Sequence, residues 1–312
     1  MRQKNTIYIL LFACLFVFSA CSGPKVDQDE IKKANQFFES IFQDRVLDSP
    51  EFQTRLGYKS NYDQWDDMRW EKRRKDARDA EFDLNYMREN ININKLDDKT
   101  AISYRLMEKS LQRTIDANEY LFRGYMITHR GGKHSSIPSF LINYHKIEDE
   151  MDVKDYLSRL RNIEPLFEDF LRELKIRDDV GTIAPMFVYP KAIAVCENII
   201  SGYPFEEGEK QNVIYQDFVT KIDALELSDA VKTRYKSEAE AILVTVVNYA
   251  YRGLIDFLTE QQLKATNNHG VWKYPNGDAY YQYTLDEYTT LGMTPEEIHQ
   301  IGLDEVARIH EE

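Results

Sequence analysis

From Ile31 onward the apolar residues of this chain return every three or four positions. The residues that would interrupt such a pattern are few, 13 Gly and 9 Pro among 312. Spacings of three and four place side chains on one face of a helix with 3.6 residues per turn. Ile31, Ala34, Phe37, Phe38, Ile41 and Phe42 make the first such face, and Ala77, Ala80, Leu84, Met87 and Ile91 the second. Tyr104, Met107, Leu111, Ile115 and Phe122 predict a third helix over about 98–122. A fourth face runs through Val153, Tyr156, Leu160, Ile163, Phe167, Phe170 and Leu174. No stretch alternates apolar and polar residues as a half-buried strand does. The pattern therefore predicts a mainly α, multi-helix fold with little or no sheet.

The first twenty residues follow a different rule. Arg2 and Lys4 precede an uncharged run from Ile7 to Phe18, then Ser19, Ala20 and Cys21. Twelve apolar residues are too few to cross a ~30 Å hydrocarbon layer at ~1.5 Å per residue. The pattern resembles a bacterial lipoprotein signal peptide, with Phe18 where Leu is usual. That resemblance implies cleavage before Cys21 and lipidation of its thiol; the alternative is an ordinary secretory leader. Ser22 after the cysteine favours the periplasmic face of the outer membrane. Residues 21–29 then form a tether, and 30–312 the folded part.

Charge and cysteine content narrow the partners. The chain carries 40 Lys+Arg against 53 Asp+Glu, and loss of the leader's two cations moves the net charge from −13 to −15. So acidic a protein has no broad footprint for nucleic acid or for anionic lipid. Membrane attachment rests on Cys21. The basic run Lys72, Arg73, Arg74 and Lys75 is interleaved with acids and reads as a solvated helix face. With Cys14 in the leader and Cys21 acylated, Cys196 is left without a disulfide partner. Its neighbours in KAIAVCENII are apolar, which predicts a buried thiol.

Breakers divide the remainder. Pro50 ends the first helix, and SPEFQTRLGYKSNYDQWDD, without periodicity, reads as a loop. Gly131, Gly132 and Pro138 make a loop of ITHRGGKHSSIPS. Asp152 is the expected N-cap of the fourth helical segment, which Pro165 should kink or split. A short helix over Lys191–Ile200 and two longer ones, about Lys210–Leu225 and Ser228–Ala265, complete the body. The apolar run AILVTVVNYA lies in the last and reads as buried helix rather than strand.

The C-terminal stretch is the most specific. Asn276-Gly277 marks a tight turn, after which GDAYYQYTLDEYTT reads as helix. Thr294-Pro295-Glu296-Glu297 is a complete helix start: N-cap, Pro at the first position, and a Glu closing a capping box. Ile298, Ile301, Val306 and Ile309 would be its buried stripe. The chain ends within that helix, which predicts one lobe of a longer domain. Gly270-Val271-Trp272, Gly277-Asp278-x-Tyr280-Tyr281, Tyr288-Thr289-Thr290, and Thr294 to His299 with Gly302 and Glu305-Val306-Ala307 together resemble a bacterial family, often lipoproteins, catalogued as domain of unknown function 885. Members look like mostly helical zincin metallopeptidases, with HExxH and a later Glu in the C-terminal half of a longer chain. In that motif two His one turn apart hold Zn²⁺ and the intervening Glu activates water.

This sequence has no HExxH. His129 and His134 bracket a Gly-rich loop, His145 reads as part of a solvated face, and His269 as a surface residue. His299 and His310 stand about 16 Å apart along a helix. His310-Glu311 begins a motif that does not continue. The resemblance therefore implies zinc in the full-length family but none bound by this chain alone, and no catalytic residue is assigned. The expected partners are a peptide substrate, the remaining C-terminal half, and the membrane through the anchor. Tyr280, Tyr281 and His299 are the candidate substrate-side residues, because a Tyr hydroxyl can donate to a developing oxyanion. The competing expectation is a non-catalytic helical lipoprotein that binds a peptide or a partner.

Overall fold

The computed structural model describes residues 26–312. The leader and Cys21 lie outside the described residues. The described residues form two compact units, one from 26–44 with 78–115, the other from 45–77 with 116–312.

Most of α1 (Gln28–Leu47) and α4 (Asp98–Asp116), with α3 (Trp70–Asn90) from residue 78 onward, supply the first unit. Its core joins Ala34 and Ile41 to Ala80, Leu84, Met87 and Ile91, and to Tyr104 and Leu111. These are the stripes that the periodicity picks out. Asp97 caps α4 by accepting from the Thr100 amide at 2.8 Å, and Glu30 accepts from the Asn92 amide at 2.7 Å. The third helix stops at Asp116 rather than reaching Phe122; turns fill the interval.

The second unit begins with α2 (Pro50–Arg55), which corrects the loop expected there. Ser49 accepts from the Phe52 amide at 3.1 Å, and Pro50 opens this helix. Six residues are too few to express a period. Then come α5 (Lys133–Asn143), α6 (Glu150–Arg161), α7 (Ile163–Asp179), α8 (Val188–Ile199) and α9 (Val213–Asp223). Next is a continuous helical run of α10 (Asp229–Ile242), a π turn (Leu243–Val247) and α11 (Asn248–Gln262). Helix α11 packs on α7 and α8, while α10 packs on α6 and α9. Leu243, Val247, Tyr251 and Leu254 are buried, so the AILVTVVNYA run is core helix as expected. The segment closes with α12 (Gly277–Thr289) and α13 (Pro295–Glu311). The fold is mainly α. Its one sheet among the described residues is a two-stranded ribbon pairing Ile127 with Gly132 and Thr128 with Gly131.

Three further departures have physical causes. Helix α5 runs through Pro138, where a loop was expected. Proline lacks the N–H that would bond the carbonyl four residues back, on His134. The Tyr251 hydroxyl donates to that carbonyl at 2.6 Å instead. At α6 the cap is Asp149, accepting from the Met151 and Asp152 amides, three residues before the expected Asp152. Asp152 is buried and accepts from Lys59 at 2.7 Å and from the Glu148 amide at 2.8 Å. The break associated with Pro165 falls at Asn162, leaving the proline in the first turn of α7, where no N–H is missed. The capping box at Thr294 and Glu297 forms as read. However, Ile301, Val306 and Ile309 are 48%, 54% and 57% exposed, so the predicted stripe of α13 is uncovered among the described residues. Periodicity identifies a face, not what covers it.

Candidate functional site

The block that carries the family resemblance folds into a ring of tyrosines. The chain arrives through a short helical turn at Val271–Lys273 and reverses at Asn276, whose φ is 58°. Gly277 then starts α12. A Cβ there would meet the Val271 carbonyl oxygen at 2.2 Å, so only glycine lets the two backbone segments approach. This close approach seats Tyr274 in the interior, 5% exposed, and brings Tyr280 beside it at a ring separation of 6.3 Å. Tyr120, from the turns after α4, lies 5.4 Å from Tyr280 and stacks on Tyr283 at 4.6 Å. The Tyr274 hydroxyl donates to Tyr125 at 2.9 Å. Two cations attend the pair: the Arg123 guanidinium over Tyr274 at 5.3 Å, and the Lys273 ammonium 5.2 Å from the rings of both Tyr125 and Tyr274. Burial holds the Tyr274 and Tyr280 hydroxyls above their ordinary range. Both are therefore protonated at physiological pH; Tyr274 donates to Tyr125, and the half-buried Tyr280 is the one suited to a carbonyl or a carboxylate.

Gly277→Ala should dismantle this ring. The added methyl collides with backbone rather than with a movable side chain, and we expect a loss of about 2–3 kcal/mol, as for other strained sites. Near-ultraviolet circular dichroism should lose tyrosine intensity while the far-ultraviolet helix signal persists.

The sequence-predicted residues fall in three places. Tyr280 is part of the ring. Tyr281 points outward on α12 at 43% exposure, and His299 is exposed on α13. The structure does not bring Tyr281 or His299 into contact with the ring. Sequence reading overlooked Lys273 and Tyr274 although they lie inside the singled-out block. It also overlooked Tyr120, Arg123 and Tyr125, which sit in turns where no period marks them.

Beneath Tyr125 is a cavity of about 20 Å³, lined also by Arg177, Thr182, Tyr189 and Gln261. That volume suits a single water. The buried Thr182 hydroxyl has no protein partner and would hold it. The cavity is no substrate pocket.

A second polar concentration is structural. Arg159 is wholly buried on α6. It donates to His145 Nδ1 at 2.8 Å, Thr54 Oγ1 at 2.7 Å and the Gln64 carbonyl at 3.0 Å. The rings of Phe140 and Tyr62 lie 4.9 and 5.1 Å from its guanidinium carbon. Trp65 donates to the Arg159 carbonyl at 2.9 Å, so the polar SPEFQTRLGYKSNYDQWDD stretch meets Arg159 through Thr54, Tyr62, Gln64 and Trp65. His145 is thus enclosed rather than on a solvated face. Nearby, Glu173 is fully buried and accepts from Arg177 at 2.8 Å, from Arg73, and from the Trp70 amide at 2.6 Å. Arg73, read as part of a solvated basic face, is tied into that buried pair.

Histidine and cysteine placement bears on zinc. His134 and His145 are buried, whereas the exposed His129 and His269 have their rings 5.3 and 5.5 Å from that of Phe187. Both ring nitrogens of His134 lack partners, but no acid or second imidazole joins them. Among the described residues no group of three His, Cys, Asp or Glu side chains could hold a metal. The donor set does not fit zinc. Cys196 is buried as expected, its thiol pushed up to about 12 by burial.

These features define a mainly α-helical protein with an aromatic, cation-flanked surface and no assembled metal site among the described residues. The chain belongs to the family described as bacterial protein of unknown function (DUF885), whose model matches residues 50–312. Its fold is similar to the crystal structure described as "the putative lipoprotein from Colwellia psychrerythraea", with a TM-score of 0.74 and 21% identity. The match covers 90% of this chain and 49% of that one, so the chain spans about half the length of the solved structure it resembles. No curated protein matches it.

Proposed function

We propose that residues 26–312 are the substrate-facing helical portion of a lipid-anchored envelope protein that hydrolyses peptides with zinc. The metal-binding HExxH would belong to sequence outside this chain. The observation that carries this reading is the tyrosine ring. The residues most specific to the family build a partly open wall of neutral hydroxyl donors rather than a sealed core. By the family resemblance, zinc would supply an activated water in the whole protein. The residues described here present no set that fits the metal, so their assigned task is binding and orientation. Tyr280, with Tyr281 and His299 toward solvent, would meet the peptide. The signal-like segment ending at Cys21 and the lipoprotein description of the structural relative both support a lipid anchor, and Ser22 after the cysteine favours the periplasmic face of the outer membrane.

The coding sequence beyond codon 312 tests the proposal. An in-frame HExxH followed by a further Glu within a few hundred codons is expected. A stop codon soon after 312 would contradict it and favour a binding lipoprotein.

A further inference from the structure

Arg123 and Lys273 are unusual cations in this molecule. The acidic balance gives most partly buried bases a carboxylate: Arg73 and Arg177 share Glu173, Lys133 meets Glu51, and Lys221 meets Asp217. Arg159, fully enclosed, donates from each of its three nitrogens to a neutral acceptor and lies against aromatic faces. Arg123 and Lys273 have neither arrangement. No carboxylate pairs with either among the described residues, yet both lean on the Tyr274 ring. The Lys273 ammonium donates once, to the Ile183 carbonyl at 2.7 Å, which leaves two of its three hydrogens. The Arg123 side chain has no hydrogen-bond acceptor among the described residues. Tyr274 donates to Tyr125, so the Tyr125 hydroxyl proton is still available.

Two half-buried positive charges on one ring repel each other, and lowered solvent contact strengthens that repulsion. An anion between them would relieve it. It would also receive charge-assisted hydrogen bonds from a guanidinium, an ammonium and a phenol, a donor set matched to a planar carboxylate. Next to these donors the stacked rings of Tyr120, Tyr280 and Tyr283 form an aromatic wall, which an inorganic anion has no means to use. A carboxylate carried by an apolar side chain uses both.

We infer that Arg123, Lys273 and the Tyr125–Tyr274 hydroxyl pair form a subsite for the free C-terminal carboxylate of a peptide, with its last side chain against the Tyr280 wall. This rests on the peptide reading for the identity of the ligand. It goes further by making the protein selective for chain ends. An amidated peptide loses the charge and keeps only the wall.

Calorimetric titration of the whole protein, with metal chelated and in phosphate-free buffer, tests it. The probes are Ala-Ala-Phe, its C-terminal amide, and inorganic phosphate. The acid should bind about ten-fold or more tighter than the amide, as one good charge-assisted contact provides. In Arg123→Gln the ratio should fall to within about two-fold, with the melting temperature little changed because only a ring contact is lost. Lys273→Gln serves as the second variant and should narrow the ratio in the same direction. Equal binding of acid and amide, no binding of the acid, or a preference that survives both substitutions overturns the subsite. Phosphate binding that depends on Arg123 while acid and amide bind alike overturns the peptide assignment. Because the readout is binding without catalysis, a protein that selects the acid but never hydrolyses it would sink the peptidase reading and leave the subsite standing.

Discussion

Arg159→Met should cost about 3–5 kcal/mol of stability, the largest single loss expected in the second unit. The reason is not the charge alone. Removal leaves the buried Thr54 hydroxyl and His145 Nδ1 without their donor, and each orphaned group costs roughly 1–3 kcal/mol before relaxation; the part-buried Gln64 carbonyl loses its donor too. The guanidinium also fills the space between the Tyr62, Trp65 and Phe140 rings. Burial draws the Arg159 pKa down to about 10, still well above neutrality, so the cation persists in the native state. A chemical-denaturation midpoint would read the effect, and thermal unfolding should shift by on the order of 10 °C. Arg159→Lys should rescue little, since an ammonium cannot span three acceptors set by a planar fork.

Acidification should destabilise the protein earlier than its carboxylates would. Burial lowers the His134 pKa to about 4. Burial first, and then the Arg159 charge, lowers that of His145 to about 2. An unfolded histidine titrates near 6.5. Below that pH the unfolded chain takes up protons that the folded imidazoles refuse. Stability contributed by the two neutral rings is therefore complete above about pH 6.5 and is lost as pH falls toward the folded values. Each ring well below 6.5 contributes a slope of about 1.4 kcal/mol per pH unit. Between pH 7 and 5 the two together should remove on the order of 3 kcal/mol. His134→Leu separates the contributions. Neither nitrogen of His134 has a partner to lose, and the carbonyl that Tyr251 uses is backbone. The variant should lose about half of the pH dependence; an unchanged slope in urea titrations at pH 7 and pH 5 would contradict the assignment.

Legibility in the sequence followed the physics of each element. Long amphipathic helices were readable because burial repeats with the helical turn: Ala80, Leu84, Met87 and Ile91 fall in the core as spaced. Caps made by one side chain were readable where the whole signature is local, as at Thr294. Segments held by distant partners were not. Helix α2 is short and polar, and its residues are fixed by Asp66 and Arg159, 15 and 105 positions away for Glu51 and Thr54. The helix through Pro138 depends on Tyr251, 117 residues from the carbonyl it satisfies. His145 resembled a surface residue because acids follow it, yet its environment is set by Arg159 on the next helix. The candidate site divides in the same way. Tyr280 belongs to a compact, recognisable block, whereas Arg123 and Tyr125 join it only through folding.

In the proposed division of labour, residues 26–312 bind the peptide and sequence beyond them carries the metal chemistry. Zinc content and peptide hydrolysis, measured side by side on the product of the whole gene and on residues 22–312, address it directly. The whole product should carry about one tightly held Zn²⁺ and cleave peptides, as a three-ligand catalytic site requires. Residues 22–312 should do neither while retaining their helical spectrum. Stoichiometric, tight Zn²⁺ binding by residues 22–312 alone, or a whole product with neither zinc nor hydrolysis, would contradict the account.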